Sequence, residues 1–77
     1  MTTSEIANKV ISILKDSGFD ATSESHLKND LHLDSLDKVE FGMAIEQEFS
    51  ISLTDEDLYK MHTVQDVVEG VSKYRGE

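Results

Sequence analysis

Apolar residues recur at helical spacing in four stretches of this chain, and nowhere do they alternate over the length of a strand. In the first stretch Ile6, Val10, Ile13 and Leu14 share a face, with Ala7 and Ile11 beside them. Thr2-Thr3-Ser4-Glu5 in front reads as a capping box, and Gly18 behind it as the stop. The second and most strongly patterned stretch starts at Asp34 as N-cap, with Asp37 three residues on, and runs to about Glu48 or Phe49. A short third helix is predicted after Thr54, with Asp55, Glu56 and Asp57 in its first turn and Leu58 and Met61 as its apolar contribution. Thr63-Val64-Gln65-Asp66 repeats the capping pattern for the last helix. Its Val64, Val67, Val68 and Val71 face inward, and Lys73 and Arg75 suit its C-terminal end. The pattern predicts an all-α fold, a small four-helix bundle with three main helices and one short one, as a single domain over 1–77.

The second helix carries two apolar faces. At about 100° per residue, Phe41, Ile45 and Phe49 fall together as the core face, and Leu36, Val39 and Met43 cluster roughly 150° away. Glu40, Glu46 and Gln47 border the second cluster, making an apolar strip edged with acid. Such a strip is either a docking surface or a second buried face between neighbouring helices. Gly42, in the middle of this helix, costs about 1 kcal/mol relative to alanine and permits either close packing or local give. Residues 19–33 make a connection long enough to be functional or to hold a turn of its own. One helical turn is expected at Ser23 to Leu27, with Phe19, Leu27 and Leu31 pinning the segment to the core. In the 50–53 connection, Ile51 and Leu53 are expected to point inward.

Charge narrows the partners. The formal net charge is −9, and residues 34–69 hold ten acids against Lys38 and Lys60. That field repels nucleic acid and anionic membrane and attracts basic protein surfaces. There is no cysteine for a disulfide or thiolate site. Met1-Thr2-Thr3-Ser4-Glu5 lacks the basic and apolar regions of a signal peptide, so the chain reads as soluble and intracellular, without membrane insertion. His26, His32 and His62 lack paired ligand spacing, and Asp55-Glu56-Asp57 lacks the alternating ligands of a calcium loop, so no metal site is expected.

Ser35 is the residue of chemical interest. It sits where a loop becomes a helix, flanked by Asp34 and Asp37. As a nucleophile it would need a base and an oxyanion hole, and nothing in the sequence holds a histidine against it. As the acceptor of a phosphate-linked group it is well placed, because the first N–H groups of a helix lack internal partners and favour an anion.

Leu33-Asp34-Ser35-Leu36-Asp37-Lys38-Val39-Glu40 and then Met43-Ala44-Ile45-Glu46-Gln47-Glu48-Phe49 resemble the central motif of acyl carrier proteins of type II fatty acid synthesis. The likeness continues through Thr54-Asp55-Glu56-Asp57 and Thr63-Val64-Gln65-Asp66-Val67, so it covers most of the chain. It implies that Ser35 bears 4′-phosphopantetheine, installed from coenzyme A by a phosphopantetheinyl transferase (holo-ACP synthase). The non-catalytic carrier would then pass acyl thioesters among fatty acid synthesis enzymes and acyltransferases with basic docking patches. By position it implies docking through Asp34, Leu36, Asp37, Val39, Glu40, Met43, Glu46 and Glu48, and an acyl cavity lined by Phe41, Ile45, Leu58, Met61 and Val67. The implied form is a monomer, in the bacterial cytoplasm or, if a targeting segment has been removed, in the mitochondrial matrix.

The chain departs from that pattern at His32, where glycine is common, at Gln47 and Tyr59, where acids are common, and at Thr54, where proline is. Bulky Phe41 and Leu58 imply a shallower cavity. The different reading left by the residues alone is a small acidic adaptor that docks on a basic partner without being modified.

Overall fold

A computed structural model describes residues 2–74, so Arg75 and Met1, both used in reading the sequence, lie outside the described residues. Four helices follow in order: α1 (Thr3–Asp16), α2 (Ser35–Phe49), α3 (Asp55–Lys60) and α4 (Val64–Tyr74). Each starts where its cap stands. Thr2, Asp34 and Thr54 all close complete capping boxes with Glu5, Asp37 and Asp57. Ahead of α4, Thr63 Oγ1 accepts the Asp66 N–H at 3.0 Å, and the Asp66 carboxylate accepts from the backbones of His62 and Thr63 at 2.9 and 3.1 Å. Each cap contributes about 1 kcal/mol, which matters in a domain this small.

The broadest packing is between α1 and α4; α2 lies on α1, and α3 leans on α2. Ile6, Val10 and Leu14 of α1 meet Ile45 and Phe49 of α2 and the four valines of α4 in one buried cluster. Ile13, expected among them, is half-buried with Ala7 and Ile11 at the margin. Two carboxylates hold the edges: Glu46 accepts the Leu53 N–H at 2.9 Å, and Glu48 pairs with Lys9 at 3.5 Å.

The long connection differs from expectation. Ser23 to Leu27 does not form the helical turn. A tight turn closes at Thr22–Ser25, and the helical turn begins at His26, whose carbonyl accepts from Asp30 and Leu31 at 2.9 and 3.1 Å. The reason is local. His26 Nδ1 accepts the N–H groups of Lys28 and Asn29 at 3.2 and 3.1 Å, and the Asp30 carboxylate accepts the His26 N–H at 2.7 Å. A histidine thus does the work of a capping residue, which moves the turn three residues along. Leu27 and Leu31 are buried as expected; Phe19 is half-buried.

The turn ends at His32, which adopts the left-handed conformation with φ 60°. Its N–H reaches the Lys28 carbonyl at 3.1 Å, and the reversal lets the Leu33 N–H reach the Leu27 carbonyl at 2.9 Å. A side chain in this conformation costs about 1 kcal/mol that glycine does not. His32→Gly is therefore expected to stabilise the domain by about 1 kcal/mol in the native backbone, less the entropy glycine adds to the unfolded chain. A denaturant midpoint at or below wild type would show the His32 side chain to be worth more than its strain.

Candidate functional site

Asp34 and His32 together deliver Ser35 to its place. The left-handed residue turns the chain, Leu33 enters the core, and Asp34 caps α2 through its Oδ1 on the Asp37 N–H at 2.8 Å. Ser35 is the first residue of α2 and is exposed. Among the described residues no group bonds its hydroxyl. Neither His26 nor His62 is hydrogen-bonded to it, and His26 Nδ1 is already engaged with two backbone N–H groups. The parts of a catalytic serine are not assembled around it.

Beside Ser35 the second face of α2 is open. Leu36, Val39 and Met43 are 66, 48 and 56% exposed, so the alternative of two buried faces is ruled out. The acids around the strip divide by what they already hold. Asp34 and Asp37 serve the cap, Glu46 the 50–53 connection, and Glu48 the pair with Lys9. Glu40 is exposed and has no such partner among the described residues.

Two open hollows meet at Ser35. The larger, about 480 Å³, lies between the 26–33 segment, the start of α2 and the α3–α4 junction, and is lined by His26, Lys28, Ser35, Lys38, Tyr59 and His62 among others. The smaller, about 310 Å³, runs between α2 and α3 past Lys38, Val39, Asp55, Leu58 and Tyr59. Of the residues given to an acyl cavity, Leu58 lines the smaller hollow and is half-buried, Met61 lines the larger, and Phe41, Ile45, Met61 and Val67 are all buried. Leu58 crosses directly over Gly42, where an added Cβ would stand 2.6 Å from its Cδ2. Gly42 is thus what lets α3 approach α2.

Lys28, Lys38, Tyr59, His26 and His62 were not singled out from the sequence as neighbours of Ser35. Lys38 was legible at three residues from Ser35 on one helix. The histidines were not, since their rings stack at 6.4 Å across a long span of chain. Burial pushes the Lys38 ammonium below its ordinary range, against support from Asp66.

The carboxylates of Asp66 and Asp57 are held below their usual range. Asp66 is lowered first by the His62 backbone N–H, with burial opposing, and Asp57 first by the Tyr74 hydroxyl, which donates to it, and then by Thr54. A lowered folded-state value means stability that is present above the ordinary carboxylate range and lost as pH falls through the folded value. Melting temperature is therefore expected to fall below about pH 4, and less steeply in Asp66→Asn, whose neutral-pH stability is already reduced. Parallel acid profiles for the two proteins would remove Asp66 from that role.

No helix of the described residues is long and apolar enough to cross a membrane.

Among known families, the one described as "Phosphopantetheine attachment site" matches residues 4–71. Among curated proteins, the mitochondrial acyl carrier protein of Neurospora crassa is 44% identical over 72 residues, an alignment covering 84% of this chain and 52% of that protein. The chain thus spans about half the length of that relative.

Proposed function

The chain belongs to the phosphopantetheine-attachment family, and on that premise we propose that Ser35 is its attachment point and that the protein is a non-catalytic acyl carrier serving fatty acid synthesis. The observation that carries the proposal is Ser35 itself: an exposed hydroxyl, unbonded among the described residues, on the first turn of a capped helix, opening onto a hollow and flanked by an acid-edged apolar strip. The name of the Neurospora crassa relative supports the acyl cargo. It also supports the mitochondrial alternative over the bacterial cytoplasm.

The attached arm supplies a thiol that holds acyl groups as thioesters; the chain's own residues do the rest. Asp34 holds the first turn of α2 so that the Ser35 hydroxyl stays accessible to a transferase. The unpaired N–H groups of that turn favour the negative charge of a phosphodiester. Leu36, Val39, Met43 and Glu40 offer the docking surface, while Asp34, Asp37, Glu46 and Glu48 contribute charge and also hold the fold. Leu58 lines the smaller hollow and packs on Gly42, so an acyl chain that reaches Phe41, Ile45 and Val67 enters by displacing Leu58 from Gly42.

The test is intact mass before and after incubation with coenzyme A and a broad-specificity phosphopantetheinyl transferase. A gain of one phosphopantetheinyl group is expected. No gain, from folded and unmodified protein, would overturn the carrier and leave the unmodified adaptor.

A further inference from the structure

A chain of formal charge −9 gathers Lys28, Lys38, His26 and His62 around one hollow, with Ser35 on its rim. The four come from three separate segments, and the backbone ties them together. The Leu27 N–H donates to the His62 carbonyl at 2.9 Å, and the Val64 N–H to the Ser25 carbonyl at 3.0 Å. The stacking of the His26 and His62 rings, with planes 22° apart, belongs to the same seam.

The two lysines are not spent elsewhere. Lys9 and Lys60 have carboxylates at 3.5 and 3.0 Å, whereas neither Lys28 nor Lys38 has one within ion-pair reach among the described residues. Lys38 is half-buried, and an ammonium that has lost water without a direct partner gains from an anion placed beside it. His26 accepts two N–H bonds at Nδ1, so its neutral ring carries the proton on Nε2 and can donate there. The acid that lines the hollow, Asp34, is committed to the Asp37 N–H.

This donor set fits a phosphodiester, which brings one negative charge and only acceptor atoms. We propose that the hollow is a seat for the phosphodiester carried on Ser35, with Lys28 and Lys38 as its countercharges and the rings of His26 and His62 as its donors. The inference rests on Ser35 being the attachment point. Its consequence is directional: the arm leaves Ser35 toward the α3–α4 junction, and the strip of Leu36, Val39 and Met43 stays open to a partner.

The experiment uses protein whose loading has been confirmed by mass, so failure to load is scored apart from failure of the seat. At low salt the loaded form is expected to melt about 4 °C above the unloaded form, the size of charged contacts at a partly exposed site. That gap shrinks at about 1 M salt. Lys38→Met and Lys28→Met should each move the ³¹P resonance of the attached phosphodiester and reduce the gap, while Lys60→Met leaves both unchanged. Unloaded Lys38→Met should melt no lower than unloaded wild type, because a half-buried charge has been removed. Equal melting of loaded and unloaded wild type, or a ³¹P resonance indifferent to both Lys28→Met and Lys38→Met, overturns the seat.

Discussion

Ser35→Ala is expected to abolish phosphopantetheinyl loading completely and to leave the fold as it was. The two halves of that expectation have separate causes. Loading needs the hydroxyl oxygen as nucleophile toward the transferred phosphate, and alanine has none. Stability does not need it, because Ser35 is exposed and its hydroxyl bonds nothing among the described residues. The cap of α2 belongs to Asp34, and alanine is the better helix former by roughly 0.5 kcal/mol. The melting temperature should therefore stay within about 3 °C of wild type, or rise slightly. Asp34→Ala gives the contrasting result: about 1 kcal/mol of stability lost with the cap, and slower loading from a frayed first turn, with the hydroxyl still present. If Ser35→Ala still gains the mass of one group, the arm sits on another hydroxyl and the site assignment fails, even though the family does not.

How far the sequence carries is clearest at α2. Its start, its length and its two apolar faces were readable because capping and helical periodicity act within a few residues: Asp34 with Asp37, and Phe41 with Ile45 and Phe49. The openness of the second face was not readable. Periodicity records that Leu36, Val39 and Met43 align but not whether another helix covers them, and that depends on α3 being only six residues long and lying to one side. Gly42 was equally ambiguous until Leu58 was found above it. The misplaced turn at Ser23 to Leu27 has a different cause. Capping rules name serine, threonine, aspartate and asparagine, and here an imidazole nitrogen did that work. Lys28 and the paired histidines were missed for a third reason. They matter through a hollow assembled from three segments, and no local pattern signals such an assembly.

Disabling the strip is expected to separate docking from stability more sharply than any other change. Leu36 and Met43 are each more than half exposed, so Leu36→Ala with Met43→Ala removes little of the folded core. A partner that covers them gains about 1–2 kcal/mol per side chain from apolar burial. The double variant should then bind a basic partner enzyme roughly 30- to 700-fold more weakly while melting within about 3 °C of wild type. Glu40 should act differently, because it is exposed and has no fold-holding partner among the described residues. Glu40→Lys is expected to slow association and to weaken binding most at low salt, with the difference from wild type closing as salt is raised. Glu48→Lys would not give so clean a result, since it also breaks the pair with Lys9. Binding and loading rates measured across ionic strength would distinguish the two contributions. An apolar double variant that binds as wild type would mean partners do not cover this face. A Glu40→Lys effect that persists unchanged at high salt would mean that Glu40 acts through a short-range contact rather than through the field of the acidic edge.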